Sequence, residues 1–268
     1  MKIYLGELSM DDKVLLKQVR ENPMLLENIE KPSKDVVRAA IRRNGIVIKF
    51  VKNQDFEMRK EAIKSNPLSI EYMENLEEEL QLLAVKLLWN SIKFINNPSY
   101  EVQKESVKVK GWAIQYIENP SEELCLLAVA SDYDSIKYIE NPSETVQLKA
   151  IESYYAAIKY IKNPTLKAKV ESVRKNGEAI NYMQSYDLDD IKLFIEANIN
   201  VVKYIYDSID VELVIEVLME IVKRDDISRE YIKNFLELEI LEMDKIDFIK
   251  QYGSKNAKKY LVDYKLSI

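Results

Sequence analysis

The side chains that could do chemistry in this sequence recur at a fixed interval of 22 residues. One such column is aromatic in eight successive repeats, and six of its members are tyrosines. On a helical wheel the column lies at the edge of an apolar arc, so a ring can be half buried while its hydroxyl reaches the surface. Tyrosine is also enriched in interface hot spots. The column therefore predicts a face that binds a protein or peptide through Tyr72, Tyr116, Tyr138, Tyr160, Tyr182 and Tyr204, with Phe50 and Phe94 completing the series.

The aromatic column has a simpler interpretation as packing. Aromatic residues at the edge of a core commonly fill gaps between short helices, and a ladder that only stacks is the more frequent case. The preceding column is rich in lysine and is predicted to lie on the opposite side of the short helix, where it would solvate the surface. Its members are Lys49, Glu71, Lys93, Gln115, Lys137, Lys159, Asn181 and Lys203.

A second basic column falls near the end of the first helix of each repeat. Cations there complement the negative end of the helix dipole, which explains them without a ligand. Five in register could also give one edge a positive potential and bind nucleic acid or an acidic protein surface. These possible anion-binding residues are Arg20, Arg42, Lys64, Lys86 and Lys108.

Several kinds of chemistry are excluded by what the sequence lacks. It contains no histidine, which excludes a His-based triad, a histidine general base and His-containing metal sites. Cys125 is the one cysteine and cannot form a thiolate cluster, and the five glycines are scattered at turns without a phosphate-binding loop. Many carboxylate pairs exist, but no spacing singles one out. We therefore expect a protein that is not an enzyme, with no catalytic residue, metal or cofactor.

The elements that must position these columns follow from the same period. Prolines mark it most plainly, and their position, here called the proline position, is occupied by Pro32, Gln54, Leu76, Pro98, Pro120, Pro142 and Pro164. The residue three before it is apolar in all eleven repeats, from Ile29 to Ile249. Self-similarity at a fixed period predicts a solenoid, in which each repeat buries its apolar face only against its neighbours.

Each repeat is predicted to contain two helices. Asn before Pro suggests that the first helix begins there, with Asn as the N-cap and Pro at the first helical position. An apolar pattern of helical period then runs for roughly three turns. The turn that follows carries pairs such as Asn44-Gly45 and Asn176-Gly177, which indicate a helix C-cap with glycine in the left-handed region. The second helix is about two turns long, so tertiary stacking must hold it.

The composition of the chain indicates its cellular compartment and its partners. The net charge of −6 is spread without a charged tail or basic domain, which argues against a dedicated nucleic-acid binder. The lone cysteine, the lack of a long apolar run and the charged start of the chain predict a cytoplasmic protein without a signal peptide. Abundant Ile, Lys, Asn and Tyr are typical of an AT-rich bacterial or phage genome.

The pattern Asn-Pro-Ser-Glu-Glu-Leu, followed by Ala-Val and Ile-Lys-Tyr-Ile, resembles the short two-helix repeats of bacterial and phage solenoids. The nearest forms are the variant leucine-rich repeats and the broader HEAT-like class, and the resemblance covers nearly the whole chain. It implies a right-handed superhelix whose groove binds protein. Some HEAT-like relatives are DNA-repair glycosylases with a basic concave face, which the acidic balance here does not match. The variant leucine-rich repeat prototype carries a cysteine cluster for iron and sulfur, which this sequence lacks.

Together these observations predict an all-α protein, a right-handed superhelical α-solenoid of about eleven 22-residue two-helix repeats. Regular repeats are expected over residues 1–208, and degenerate repeats with a C-terminal cap over residues 209–268, continuous with the same domain. We expect a non-enzymatic protein-binding solenoid, of which a phage or mobile-element inhibitor that sequesters a host protein is one instance. The alternative is a HEAT-like nucleic-acid binder that uses the basic column on one edge.

Overall fold

Every regular element that the structure describes is a helix. A computed structural model describes residues 10–267, and contacts divide the chain into two compact units, Met1–Asp132 and Tyr133–Ile268. Over the described residues, no helix combines the length and apolar character that crossing a membrane would require.

In the first unit α-helices alternate with 3₁₀ helices. The α-helices after the first are each ten residues long and begin 22 residues apart. The described elements are α1 (Met10–Glu21), η1 (Pro23–Asn28), α2 (Lys34–Arg43), η2 (Gly45–Phe50), α3 (Phe56–Ser65), η3 (Pro67–Tyr72), α4 (Glu78–Leu87), η4 (Trp89–Phe94), α5 (Tyr100–Val109), η5 (Gly111–Tyr116) and α6 (Glu122–Ser131).

In the second unit the alternation continues as far as Ser208 and then ends. The regular part contains η6 (Tyr133–Tyr138), α7 (Glu144–Ser153), η7 (Tyr155–Tyr160), α8 (Leu166–Lys175), η8 (Gly177–Tyr182), α9 (Leu188–Ala197), η9 (Ile199–Val201), α10 (Val202–Ile205) and η10 (Tyr206–Ser208). Four α-helices follow, which are α11 (Val211–Val222), α12 (Arg229–Glu237), α13 (Lys245–Tyr252) and α14 (Lys255–Ser267).

Within each unit the helices stack in two layers. Each α-helix packs on the α-helix of the adjacent repeat, as α2 does on α3 and α7 on α8, and each 3₁₀ helix packs on the next, as η2 does on η3 and η7 on η8. We call these the α layer and the 3₁₀ layer. The predicted all-α solenoid of two-helix repeats is confirmed. The second helix has the expected two turns but is a 3₁₀ helix, a form used in short runs because its hydrogen-bond geometry is poorer.

Each core column is narrow in residue type through the regular repeats. The position six before the proline position supplies η2 to η8 with a buried isoleucine, and the column comprises Ile48, Ile70, Ile92, Ile114, Ile136, Ile158 and Ile180. The position eight after the proline position is fully buried and is small from α2 to α8, as Ala40, Ala62, Ala84, Ser106, Ala128, Ala150 and Ser172, whereas α9 has Phe194 there. Small residues there allow successive helices to approach closely, so the repeat spacing depends on this column.

The predicted start of the first helix is wrong by two residues. The N-cap is the residue after the proline position, where Ser99, Ser121 or Ser143 accepts a hydrogen bond from the backbone N–H three residues later. The asparagine before the proline position instead lies in a turn, and Asn97 and Asn119 adopt positive φ there. Asparagine tolerates this left-handed region better than most residues, which explains its recurrence. Capping by Asn with Pro next to it does occur, at the 3₁₀ helix that follows Asn66.

The glycines at the interhelical turns are also explained differently from the prediction. No described glycine has a positive φ, so none is a left-handed C-cap. A Cβ on Gly45 would lie 2.1 Å from the Ala62 carbonyl oxygen, and one on Gly111 would lie 2.3 Å from that of Ala128. Both clashes are with the next repeat. Glycine is therefore required here by the close approach of a neighbouring backbone, not by its conformational freedom.

The repeat changes character after residue 208. Helix α11 begins 23 residues after α9 and is twelve residues long, which matches the one-residue shift of the apolar pattern in the sequence. A single cluster of buried residues joins α9 to the last helices, with Phe194 and Phe235 fully inaccessible. Tyr231 fastens α12 to α9, because its buried hydroxyl donates a hydrogen bond of 2.9 Å to the Ile195 carbonyl.

Replacing Gln147 by Leu tests the polar contact between successive repeats. The buried Gln147 amide donates to the Pro142 carbonyl at 3.0 Å and accepts from the Thr165 N–H of the next repeat at 2.9 Å. Leucine leaves both backbone groups unpaired, so the free energy of unfolding in urea should fall by about 2–4 kcal/mol. Gln103→Leu removes a single bond, to the Pro98 carbonyl, and should lower it by about 1 kcal/mol. Equal losses would contradict this account.

Replacing Ser91 by Ala should stabilise the protein. The Ser91 hydroxyl is fully buried on the 3₁₀ helix η4 and has no hydrogen-bond partner among the described residues. Alanine removes this desolvated group, so the free energy of unfolding should rise by about 1 kcal/mol. Ser106 is equally buried, but its hydroxyl donates to the Gln103 carbonyl at 2.7 Å. Ser106→Ala is the matched control and should bring no such gain.

Candidate binding surface of the 3₁₀ layer

The aromatic column closes the 3₁₀ helices. Its members from Phe50 to Tyr182 are the last residues of η2–η8, and Tyr204 lies in α10. In a 3₁₀ helix residues three apart lie above one another, so each ring stands over the small buried residue seven before the proline position, such as Ser69 or Ala113. The rings are half-buried or exposed, and Tyr116, Tyr138 and Tyr204 are 38%, 36% and 42% accessible. The predicted tyrosines therefore lie at the surface of the 3₁₀ layer of their own unit, Tyr72 and Tyr116 in the first unit and Tyr138, Tyr160, Tyr182 and Tyr204 in the second.

The lysine column does not lie on the opposite side of the short helix, as the sequence suggested. In the second unit the Lys137 ammonium stands 5.0 Å from the ring centroid of Tyr138 and 5.6 Å from that of Tyr160 in the next repeat. In the first unit Lys49 stands in the same way near the rings of Phe50 and Tyr72, at 4.9 Å and 6.0 Å. The flexible lysine stem folds back over the rings because the ammonium is attracted to their faces. The lysines stay solvated, but they share the surface with the tyrosines.

In the second unit the 3₁₀ layer carries a cluster of tyrosines that the sequence analysis missed. The Tyr154 ring lies 4.9 Å from both Tyr133 and Tyr155, and Tyr155 lies 6.4 Å from Tyr182. Tyr155 and Tyr182 both donate a hydrogen bond to the Glu178 carboxylate, at 2.8 Å and 3.1 Å. We call these five residues the tyrosine cluster. All of them except Tyr182 lie eight to ten residues before the proline position, where the repeats vary in sequence, and that variation is the signal that could have found them.

Hydrogen bonding alters the chemistry of two of these hydroxyls. Donation to the Glu178 carboxylate raises the pKa of Tyr155 well above its usual range, and burial and the neighbouring Tyr154 act in the same direction. The same carboxylate raises the pKa of Tyr182. Both hydroxyls stay protonated at neutral pH and are fixed in direction. The cluster therefore presents a rigid aromatic surface rather than a nucleophile.

The first unit carries a smaller aromatic group on its own 3₁₀ layer. The Trp89 and Tyr116 ring centroids lie 6.2 Å apart, and the Lys110 ammonium stands 5.1 Å from the ring centroid of Trp112. Lys110 also forms an ion pair with Asp132, whose carboxylate accepts the Gly111 N–H at 2.7 Å. Residues before the aromatic column thus contribute to the surface in this unit as well.

The charges of the 3₁₀ layer nearly balance. From η2 to Tyr204 its helices carry five lysines and three carboxylates, while the whole chain has a net charge of −6. The lysines are Lys49, Lys93, Lys137, Lys159 and Lys203, and the carboxylates are Glu71, Asp134 and Glu178. The acidic excess therefore lies elsewhere, on the α layer and the connecting segments.

The basic column lies on the α layer, where three of its five members form ion pairs with carboxylates. Arg42 pairs with Glu61 at 2.8 Å, and Lys86 and Lys108 share Glu105 at 3.8 Å and 2.7 Å. The hydrogen bond to Glu61 raises the pKa of Arg42. Arg20 and Lys64 have no ion pair among the described residues. Exposed pairs of this kind contribute at most about 1 kcal/mol each, but they reduce the positive potential that an anion would meet.

The described residues include no group of three or more acidic or cysteine side chains placed to hold a metal ion. Cys125 is buried, and burial raises the pKa of its thiol, which makes it a poor nucleophile. Comparisons of the chain with protein-family models, with curated proteins and with solved structures find no match. The surface must therefore be interpreted from its own chemistry.

Glu178→Gln tests the tyrosine cluster through pH. Because folding raises the pKa of Tyr155 and Tyr182, their contribution to stability is present below the unfolded tyrosine pKa of about 10 and is lost as pH rises through the folded values. Removing the carboxylate charge should bring both pKa values down, which an absorbance titration of tyrosinate would record, and alkaline unfolding should begin at lower pH. Glu152→Gln, at an exposed carboxylate bonded to Lys149, is the control. Identical titration curves would contradict the assignment.

Proposed function

We propose that this chain is a non-enzymatic protein-binding repeat protein whose 3₁₀ layer forms the interface. The observation that carries the proposal is the tyrosine cluster together with the aromatic column that continues it. The rings of the cluster lie at contact distance from one another and are partly accessible to solvent, and two of them are fixed by hydrogen bonds to Glu178. Tyrosine supplies large contact area with little side-chain entropy to lose, which is what interface hot spots use.

The lysines of the column make such an interface selective for partners that carry acidic groups. The ammonium groups of Lys49, Lys93, Lys137 and Lys159 are each held over one or two rings, so less side-chain entropy is lost when they meet a carboxylate on a partner. A partner surface with both apolar and acidic groups would complement the rings and ammonium groups together.

Nucleic-acid binding remains the second candidate, and two features weigh against it. A binder of single strands offers open ring faces and a run of unopposed cations. Here ammonium groups already stand near several of the rings, and carboxylates on the same layer offset most of its lysines. The basic column on the α layer is partly paired as well.

The kind of repeat, the cellular compartment and the biological role are also part of this proposal. The repeats resemble variant leucine-rich and HEAT-like repeats of bacterial and phage proteins, and a cytoplasmic phage or mobile-element protein that sequesters a host factor fits this composition. Sequestration needs only a large surface and no catalytic residue. A stack of two-helix repeats supplies such a surface.

The test is capture of partners from a lysate of the source cell, with and without nuclease. The wild-type chain should retain a stoichiometric protein after nuclease treatment. Replacing Tyr138, Tyr160 and Tyr182 together by Ala should weaken binding at least tenfold, about 1.4 kcal/mol, because the rings are lost. The triple change to Phe separates the hydroxyls from the rings and should have a smaller effect.

The control variant is Tyr100→Ala, which removes an exposed tyrosine from the α layer. It should leave capture unchanged, and circular dichroism should show that all variants keep their helical content. Partners that disappear with nuclease, and binding that weakens steeply with salt, would overturn the proposal in favour of nucleic acid.

A further inference from the structure

At the end of the regular repeats, the 3₁₀ layer of the second unit opens into a polar cleft of about 600 Å³. One wall is formed by the residues that precede and begin η8 and η9, and by Lys203 and Tyr204 of α10. The other wall is formed by Ser228, the N-cap of α12, and by Glu230, Tyr231 and Asn234 of that helix. The cleft exists because α12 departs from the repeat pattern and packs against η9.

Amide side chains without partners line this cleft. Asn198 is fully engaged, since its oxygen accepts the Asn200 N–H and its nitrogen donates to the Val173 carbonyl. The side chains of Asn200 and Asn234 are partly buried and have no hydrogen-bond partner among the described residues. A primary amide offers two donors and an acceptor, which is the complement of a peptide group. Two such side chains facing one cleft are suited to hydrogen-bonding the peptide groups of an extended polypeptide segment.

The cleft also carries more positive than negative charge, in a chain that is acidic overall. Arg174, Lys175 and Lys203 line it, with Glu230 as the single carboxylate. Arg174 is bonded to Glu171 at 3.1 Å, whereas Lys175 and Lys203 form no ion pair within the described residues. Lys175 contributes to lowering the pKa of Glu152, but that carboxylate is itself bonded to Lys149. Two ammonium groups are therefore available to an anionic ligand.

We propose that this cleft binds an extended acidic segment of a protein partner. Asn200 and Asn234 pair with the peptide groups of the segment, Lys175 and Lys203 pair with its carboxylates, and Tyr204 packs against its side-chain stems. Glu230 favours a peptide over a nucleic-acid strand, since it can accept a backbone N–H and a phosphodiester backbone carries no such donor. The inference rests on the proposed function only in assigning the segment to a protein partner.

The test is an anisotropy titration of the full chain with fluorescein-labelled octapeptides. The probe alternates Glu and Ser, the neutral control peptide alternates Gln and Ser, and an oligothymidylate of eight nucleotides represents nucleic acid. We expect saturable binding of the acidic peptide and at least tenfold weaker binding of the neutral one. Lys175→Gln with Lys203→Gln should raise the Kd about tenfold, and Asn200→Leu about fivefold, with Asn234→Leu as a second amide variant.

Lys64→Gln removes an unpaired, exposed lysine from the first unit and should leave the Kd unchanged. The inference is overturned if the acidic peptide does not bind at concentrations up to about 1 mM, or if its Kd is unchanged by the lysine and asparagine substitutions. Tighter binding of the oligothymidylate through the same residues also overturns it. The variant with Tyr138, Tyr160 and Tyr182 replaced should still bind the peptide, since none of the three lines the cleft. Loss of capture with peptide binding intact therefore separates the two proposals.

Discussion

A 3₁₀ helix of six residues has no stability of its own, and in this chain each one is held by its stacking on the helices of adjacent repeats. That stacking requires very close approach. The backbone of one repeat comes so near the turn of the preceding one that Gly45 and Gly111 leave no space for a Cβ. The small buried column of the α layer and the buried Gln147 bridge follow from the same constraint, because each lets one repeat contact the next without a gap or an unpaired backbone group.

The same constraint decides where function can reside. Positions that face the neighbouring repeat are occupied mainly by buried apolar or small residues, such as Ile114, Ala128 and Val129, and leave little room for change. The outward positions of the 3₁₀ layer are free to vary, and they hold Trp, Tyr, Lys, Asn and Asp in different repeats. A surface whose scaffold is repeated while its outward residues differ is suited to recognising an irregular partner. The tyrosine cluster and the Asn-lined cleft are two local results of this freedom.

The ladder of lysines and rings shows how packing and binding can use the same atoms. The simpler interpretation of the aromatic column, a stack that fills gaps, describes the buried part of each ring correctly. The accessible part of the Tyr160 ring, for example, stands beside the ammonium groups of Lys159 in its own repeat and Lys137 in the preceding one. The two interpretations are therefore not exclusive. What distinguishes them is whether truncating the rings harms folding or only recognition.

Much of the fold was determined by the sequence itself. The period, the apolar columns, the small column and the length of both helices in each repeat follow from residue types at fixed spacing, because side-chain periodicity is a local property. The helix type, the cap and the role of glycine were decided by tertiary structure. Asn97 appeared to be a cap but lies in a turn, and Gly45 appeared to require positive φ but avoids a neighbouring backbone. Contacts between repeats also brought Lys137 onto the rings of Tyr138 and Tyr160, assembled Tyr133, Tyr154 and Tyr155, and placed α12 against η9 to form the cleft. No pattern within one repeat contains that information, since each of these arrangements depends on the distance between residues that belong to different repeats.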